Sequence, residues 1–315
     1  MAELYVVIPV FNEAEQIGAT LAAVRTALRS CDDVDATFVL VDDGSSDRTW
    51  DAISGFAANA ADVRGIRLSR NFGKEAALCA GLDAARASDA DACLVMDADL
   101  QHPPECIPRM VALWREGCDV VEGVKASRGR ERLLYRWLAR AFYGVIGKLS
   151  GFDFDDVSDF KLLDMKVVRA WGKMGESRTF FRGMTAWLGY RRASVPFDVA
   201  ERTTGRSGWS AFQLLRLAMD AISSFTSAPL HFVTILGLLL LAFAVPLGVQ
   251  TLYNKLAGIA VDGFTTVILL LLLIGSAVMI SLGIIGVYIA RIFDEVKHRP
   301  RYLVRETTPA RGEGD

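Results

Sequence analysis

The chain has 315 residues, 52% of them hydrophobic, with a formal net charge of −2. At roughly 150 residues per domain this length allows one large domain plus an appendage; the net charge says little by itself, because the basic residues are clustered, and nucleic acid is not an expected partner. Five cysteines, at positions 31, 79, 93, 106 and 118, show no metal-ligand spacing and leave an odd one over, so they read as reduced packing thiols.

The first 125 residues alternate short apolar runs with helical stretches, the pattern of a mostly parallel sheet covered on both faces. Leu4 to Val10 is too short and lacks the charged start of a cleavable leader, so it reads as a strand. Helical stretches follow at Glu13 to Leu28, Arg48 to Ala58, Lys74 to Ala85 and Glu105 to Trp114. Between and after them the strand candidates are Thr37 to Val41, Gly65 to Leu68, Ala92 to Met96 and Asp119 to Val121. Gly129 to Ser150 interleaves Arg130, Arg132, Arg136, Arg140 and Lys148 with Leu133, Leu134, Trp137, Phe142 and Tyr143. That mixture predicts an amphipathic helix at an anionic lipid surface, against the plainer reading of an ordinary surface helix. Trp209 to Ser227 is a second interfacial candidate.

Phe232 to Val249 and Val267 to Ala290 are apolar almost throughout. Each is close to the ~20 residues a helix needs to cross ~30 Å of hydrocarbon, and Pro246 is tolerable inside such a span. The alternative is a pair of buried core helices. The connection from Tyr253 to Phe264 carries only Lys255 and Asp262, whereas Arg291, Lys297, Arg299, Arg301 and Arg305 follow the second run. Positive residues favour the cytoplasmic side, so both the long N-terminal part and the tail are expected there. The residues from Thr307 onward read as disordered.

The expected organisation is a cytoplasmic catalytic domain over 1–208, a juxtamembrane amphipathic helix over 209–228, two transmembrane helices with a short external loop over 229–292, and a basic tail over 293–315.

Four strand-end segments carry the chemistry. Val7-Ile-Pro-Val-Phe-Asn-Glu13 runs from a strand into a helix, and a fixed Pro in such a turn helps cradle a flat base. Val41-Asp-Asp-Gly-Ser-Ser-Asp-Arg-Thr49 repeats the same logic, with Gly44 permitting a tight turn. Ser69-Arg-Asn-Phe-Gly-Lys74 brings two cations to the same edge. Val95-Met-Asp-Ala-Asp-Leu-Gln101 ends an apolar run with two alternating carboxylates, hard oxygen ligands that suit a divalent cation gripping phosphates. Each segment alone has a plain reading as turn chemistry.

In this order the segments resemble family 2 glycosyltransferases of the GT-A type. The similarity is to the polyprenyl-phosphate glycosyltransferases, the group of dolichyl-phosphate mannose synthases and bacterial undecaprenyl-phosphate glucosyltransferases, and it covers essentially the whole chain. The resemblance implies an α/β, Rossmann-like GT-A fold and a metal-dependent enzyme. Pro9, Phe11, Glu13, Asp42, Arg70, Lys74 and Asp97 would bind the nucleotide sugar, and Asp97, Asp99 and Gln101 would hold Mg²⁺ or Mn²⁺. Asp159, in Val157-Ser-Asp-Phe-Lys-Leu-Leu163, would be the catalytic residue at the acceptor phosphate, with capping of an acidic turn as its plain alternative. Phe181-Arg-Gly183 also fits the group, and Arg202, Arg206 and Ser207 would clamp a phosphate with charge-assisted hydrogen bonds. Gly208 departs from the pattern, because many relatives place a lysine there.

The implied partners are a nucleotide sugar, a polyprenyl phosphate lipid and the inner (plasma) membrane, with self-association left open. UDP-glucose is the first expectation for the donor and GDP-mannose the second. A processive polysaccharide synthase fits less well, because Leu133 precedes Arg136-Trp137 where Gln-x-x-Arg-Trp would place glutamine. A catalytically silent membrane scaffold would have less use for both metal carboxylates.

Overall fold

The computed structural model describes residues 1–125, 157–176, 179–197, 228–258 and 263–309. The two interfacial candidates, Gly129 to Ser150 and Trp209 to Ser227, lie outside the described residues, as do Arg202, Arg206 and Ser207. The rest falls into two units, an α/β unit that also takes in the chain after Arg299, and a helical unit.

In the α/β unit, β1 (Ala2–Val10), β2 (Val34–Asp42), β3 (Val63–Leu68) and β4 (Ala92–Val95) run parallel. Helices α1 (Ile17–Leu28), α2 (Thr49–Asn59), α3 (Lys74–Arg86) and α4 (Ile107–Arg115) follow them. The strands are near-continuous apolar runs because both faces are covered: every residue of β1 from Leu4 onward is buried. Helix α1 buries Ile17, Leu21, Val24 and Leu28, spaced along one helical face. Pro9 sits within β1, beyond the last pairing with β4 at Val7 and Val95, so its missing N–H interrupts no ladder on that side.

The alternation changes after α4. Strand β5 (Val120–Lys125) does not join β4 directly, because β6 (Val157–Asp164) lies between them, antiparallel to both. After α5 (Met165–Trp171) and α6 (Phe181–Trp187), β7 (Arg192–Phe197) pairs parallel to β5. A last strand, β8 (Val304–Thr307), pairs antiparallel to β3, giving the order β7-β5-β6-β4-β1-β2-β3-β8. The expectation of disorder from Thr307 is therefore overturned at Thr307 and Thr308: the first pairs with Ile66, and the second exchanges hydrogen bonds with Gly65. Under the sheet, Lys161 and Glu122 are cross-strand partners joined by a 2.8 Å ion pair, and Arg192 shares the Glu122 carboxylate. Lys161 is fully buried, so this pair is a structural tie between β5, β6 and β7.

The helical unit contains α7 (Ala228–Leu256) and α8 (Phe264–Val296). Both are long and apolar enough to cross a membrane, over Val233–Asn254 and Leu273–Val296. Helix α7 runs through Pro246. Large apolar side chains stand exposed along both helices, among them Leu239, Phe243, Leu271 and Met279. A pair of core helices would have buried them.

Small residues let α3 lie close to the sheet: a Cβ at Gly81 would stand 2.2 Å from Val7 Cγ1. Gly81→Ala is expected to cost about 1–3 kcal/mol through overpacking, with most of the loss recovered in the Val7→Ala/Gly81→Ala double variant. Thermal unfolding of the purified variants measures this; a double variant no better than the single would place the strain elsewhere.

Candidate active site

The parallel strands all end at one edge, and the loops there are bonded to one another. Asn12 adopts a left-handed φ of 55°, which asparagine tolerates. Its N–H donates to Ser45 Oγ at 2.9 Å, and its Oδ1 accepts from Ser46 N–H at 2.9 Å. The N–H of Glu13 donates to Thr49 Oγ1. Asp43 receives the N–H groups of Phe72 and Gly73, one on each carboxylate oxygen. Gly44, at φ +70°, packs so tightly on the next loop that a Cβ would lie 2.4 Å from the Arg70 carbonyl carbon. Three strand-end loops thus form one wall.

Beyond β4, the chain turns through Asp97, Ala98, Asp99 and Leu100. Asp99 Oδ1 accepts from Gln101 N–H at 3.0 Å, and Asp99 is exposed. Asp97 N–H donates to His102 Nδ1. His102 is buried and stacked on Phe160, and burial lowers its pKa, so it serves as a neutral acceptor fixing this turn. Glu13 faces the same acids. Burial first, then the charges of Asp99 and Asp97, raise its pKa to about 7. The described residues contain no cage of three metal-ligating His, Cys, Asp or Glu side chains. Asp97, with Oδ1 on the Lys74 ammonium, and the exposed Asp99 offer two hard carboxylates, and a magnesium-like ion there would share its shell with phosphates and water.

Because β6 is antiparallel to β4, its first residues stand where β4 ends, and Asp159 meets Asp97 there. Lys74 Nζ lies 2.6 Å from Asp97 Oδ1 and 2.7 Å from Asp159 Oδ2. Arg182, near the start of α6, grips both Asp159 oxygens, with Nε at 2.7 Å from Oδ1 and Nη2 at 2.9 Å from Oδ2. Asp159 is 7% exposed at its side chain, but its two partners are 41% and 43% exposed. Burial alone would raise the Asp159 pKa, yet Arg182 and Lys74 together hold it far below the usual carboxylate range. Lys74 keeps its proton because Asp97 and Asp159 outweigh its own burial. Glu75 lies one residue on and accepts the Phe181 N–H at 2.8 Å.

The structure therefore brings together Lys74, Asp97 and Asp159, with Glu13 and Asp99 close by. Phe11 stands 44% exposed at the exit of β1, whereas Pro9 is buried beneath it. Asp42 is fully buried, its Oδ1 taking the Ser45 N–H. Arg70 lies over the Phe72 ring at 4.0 Å. Sequence reasoning assigned no role to Arg182 or Glu75. The Phe-Arg-Gly segment marked the first, and the charge beside Lys74 was the only sign of the second.

Residues 5–172 match the model of glycosyl transferase family 2, and the chain belongs to that family. An uncharacterized glycosyltransferase of Synechocystis is 38% identical, covering 96% of this chain and 95% of its own. The prophage-derived bactoprenol glucosyl transferase of Shigella flexneri is 33% identical, covering 97% of this chain and 98% of that one. A putative glycosyltransferase of Bacillus subtilis is 34% identical, over 96% of this chain and 91% of its own. These matches run through the apolar helices as well as the α/β unit.

Glu75 gives the site a pH signature. Burial raises its pKa from 4.5 to about 7, so the folded state holds an extra proton between those values. Its contribution to stability is complete below the lower value and is lost as pH rises through the upper one. Between about pH 5 and 8, wild-type stability should fall by on the order of 1–3 kcal/mol more than that of Glu75→Gln, whose amide oxygen still accepts the Phe181 N–H. Denaturant unfolding at the two pH values tests it, and equal slopes would refute the shift.

Proposed function

We propose that this enzyme transfers a single glucosyl residue from UDP-glucose to undecaprenyl phosphate at the cytoplasmic leaflet of the plasma membrane, with inversion at the anomeric carbon. The observation that carries the reading is the Lys74 ammonium bridging Asp97 and Asp159 at 2.6 and 2.7 Å. One cation that spans a donor-side and an acceptor-side acid sets the leaving diphosphate and the incoming phosphate within one small space. The name of the Shigella flexneri relative supports the acceptor and the sugar.

In this reading Phe11, Glu13 and Arg70 form the nucleoside side of the pocket, with the buried Pro9 and Asp42 supporting it from behind. Asp97, Asp99 and Gln101 would hold Mg²⁺ or Mn²⁺, which when bound would neutralise charge on the departing nucleoside diphosphate. The acceptor, a phosphate monoester with a second pKa near ~6, is already largely dianionic at neutral pH. Asp159 is committed to Arg182 and Lys74 and is a weak base, so its role is to hold those two cations where the acceptor phosphate arrives. A phosphate oxygen then displaces UDP in line: the new C1–O bond forms as the bond to the diphosphate breaks, and no proton need move. The protein's contribution is positioning and fixed charge. Arg202, Arg206 and Ser207 complete the phosphate contacts.

The two apolar helices act as membrane spans. β8 follows the second of them and belongs to the same sheet as β1, so the chain leaves and returns on one side, and an even number of crossings satisfies that. The basic residues after the second helix favour the cytoplasm for that side.

Purified protein is to be incubated with undecaprenyl phosphate and a panel of radiolabelled nucleotide sugars, with and without divalent cation. One labelled lipid, formed from UDP-glucose and only with Mg²⁺ or Mn²⁺, is expected; label from GDP-mannose instead would change the donor, and no labelled lipid would remove the reading. Asp99→Asn should lower metal-dependent transfer by about 100-fold or more, and Asp159→Asn should do the same while donor binding persists.

A further inference from the structure

The strand that follows the second long helix is bonded to the donor side of the α/β unit. β8 pairs Thr307 with Ile66, Glu306 with Arg67 and Val304 with Leu68. Around it, Ser69 N–H donates to the Leu303 carbonyl at 2.8 Å, Thr308 N–H to the Gly65 carbonyl, and Gly65 N–H to Thr308 Oγ1. Tyr302 donates its hydroxyl hydrogen to Asp83 Oδ2 at 2.8 Å, and Arg301 donates to the carbonyls of Glu176 and Met174. Gly65 keeps the space open, since a Cβ there would lie 3.0 Å from Thr308 Cγ2 and 2.5 Å from Ile53 Cγ2.

One of these contacts reaches Asp42. Arg67 Nη1 is 2.9 Å from Glu306 Oε1, while its Nε is 3.4 Å from Asp42 Oδ2 and its guanidinium lies over the Trp50 ring. Asp42 is fully buried, and its Oδ2 has no hydrogen-bond partner. A buried carboxylate oxygen left so needs its neighbouring cation. The other oxygen of Asp42 shapes the turn whose Ser45 holds Asn12 and whose Asp43 holds Phe72 and Gly73. Glu306 thus aims Arg67, Arg67 compensates Asp42, and Asp42 sets the wall of the pocket.

We infer that β8 is a working part of the donor pocket: Glu306 is a positioning residue that acts through Arg67 on Asp42, so that nucleotide binding depends on chain synthesised after both long helices. The inference rests on the reading of that pocket as the nucleotide site. A chain without its docked tail would keep the first strands and helices but bind donor poorly.

The test uses full-length protein in detergent micelles, titrated with UDP in the presence of Mg²⁺ and assayed for the separate KM values of UDP-glucose and undecaprenyl phosphate. Glu306 is partly exposed, so Glu306→Gln should raise the UDP Kd and the donor KM by about threefold, with acceptor KM unchanged and Glu306→Asp close to wild type. Arg67→Gln, which leaves Asp42 uncompensated, should raise the Kd by about tenfold or more, and Arg67→Lys less. If Arg67→Gln fails to fold, Glu306→Gln decides alone. A lowered thermal midpoint with wild-type UDP affinity would overturn the inference and leave β8 as a cover for the sheet edge. Wild-type protein that binds no nucleotide would overturn the donor reading, and the inference with it.

Discussion

The ammonium of Lys74, held between acids from two different strands, is the interaction on which the site depends. Asp97 lies just beyond the end of β4 and Asp159 near the beginning of β6, and the antiparallel pairing of β6 with β4 brings them to one point. Two carboxylates this close would repel each other, and Asp159 is nearly sealed from water. Lys74 and Arg182 turn that arrangement into a stable one, because a buried charge is tolerable when paired and hydrogen-bonded on both oxygens. The order of the sheet, the start of α3 and the start of α6 all serve that pairing.

β6 also shows how a working ion cluster differs from a structural one. Asp159 and Lys161 are two residues apart on the same strand and therefore point to the same face. Lys161 meets Glu122 where its own side chain has no exposure. Asp159 meets cations that remain more than two-fifths exposed. In the first case the central Lys161–Glu122 pair is sealed, Arg192 takes the other Glu122 oxygen, and the cluster ties three strands together. In the second the acid is buried and the cations open outward, so they present positive charge to whatever enters. For the proposed reaction between two phosphate-bearing substrates, that polarity is the useful one.

Much of this was legible in the chain because local signals agreed. The first four strands are apolar runs bounded by turn residues, and each leads into a helix, so the parallel core and the edge carrying Asp97 follow from pattern. The apolar helices announce themselves by length. Beyond β4 only β5 was legible in this way, from Asp119 to Val121. Val157 to Leu163 mixes Ser158, Asp159 and Lys161 into a buried strand, and those polar residues disguise it because their partners, Gly123, Arg182 and Glu122, are distant in sequence. The same distance hid Arg182 and Glu75, whose roles exist only once α6 packs beside α3.

β8 is the extreme case. Its four residues, Val304 to Thr307, are all exposed, so no burial pattern distinguishes them from a solvated basic tail. What places them is backbone hydrogen bonding to β3, which would otherwise end the sheet as an open edge with unpaired N–H and C=O groups. An edge can be covered by almost any extended segment, yet this one offers Glu306 opposite Arg67 and Thr308 opposite Gly65, the one residue whose missing side chain admits it. That specificity of register separates a strand that completes the fold from one that merely shields it. It also ties β8, through Arg67 and Asp42, to the first loops of the site.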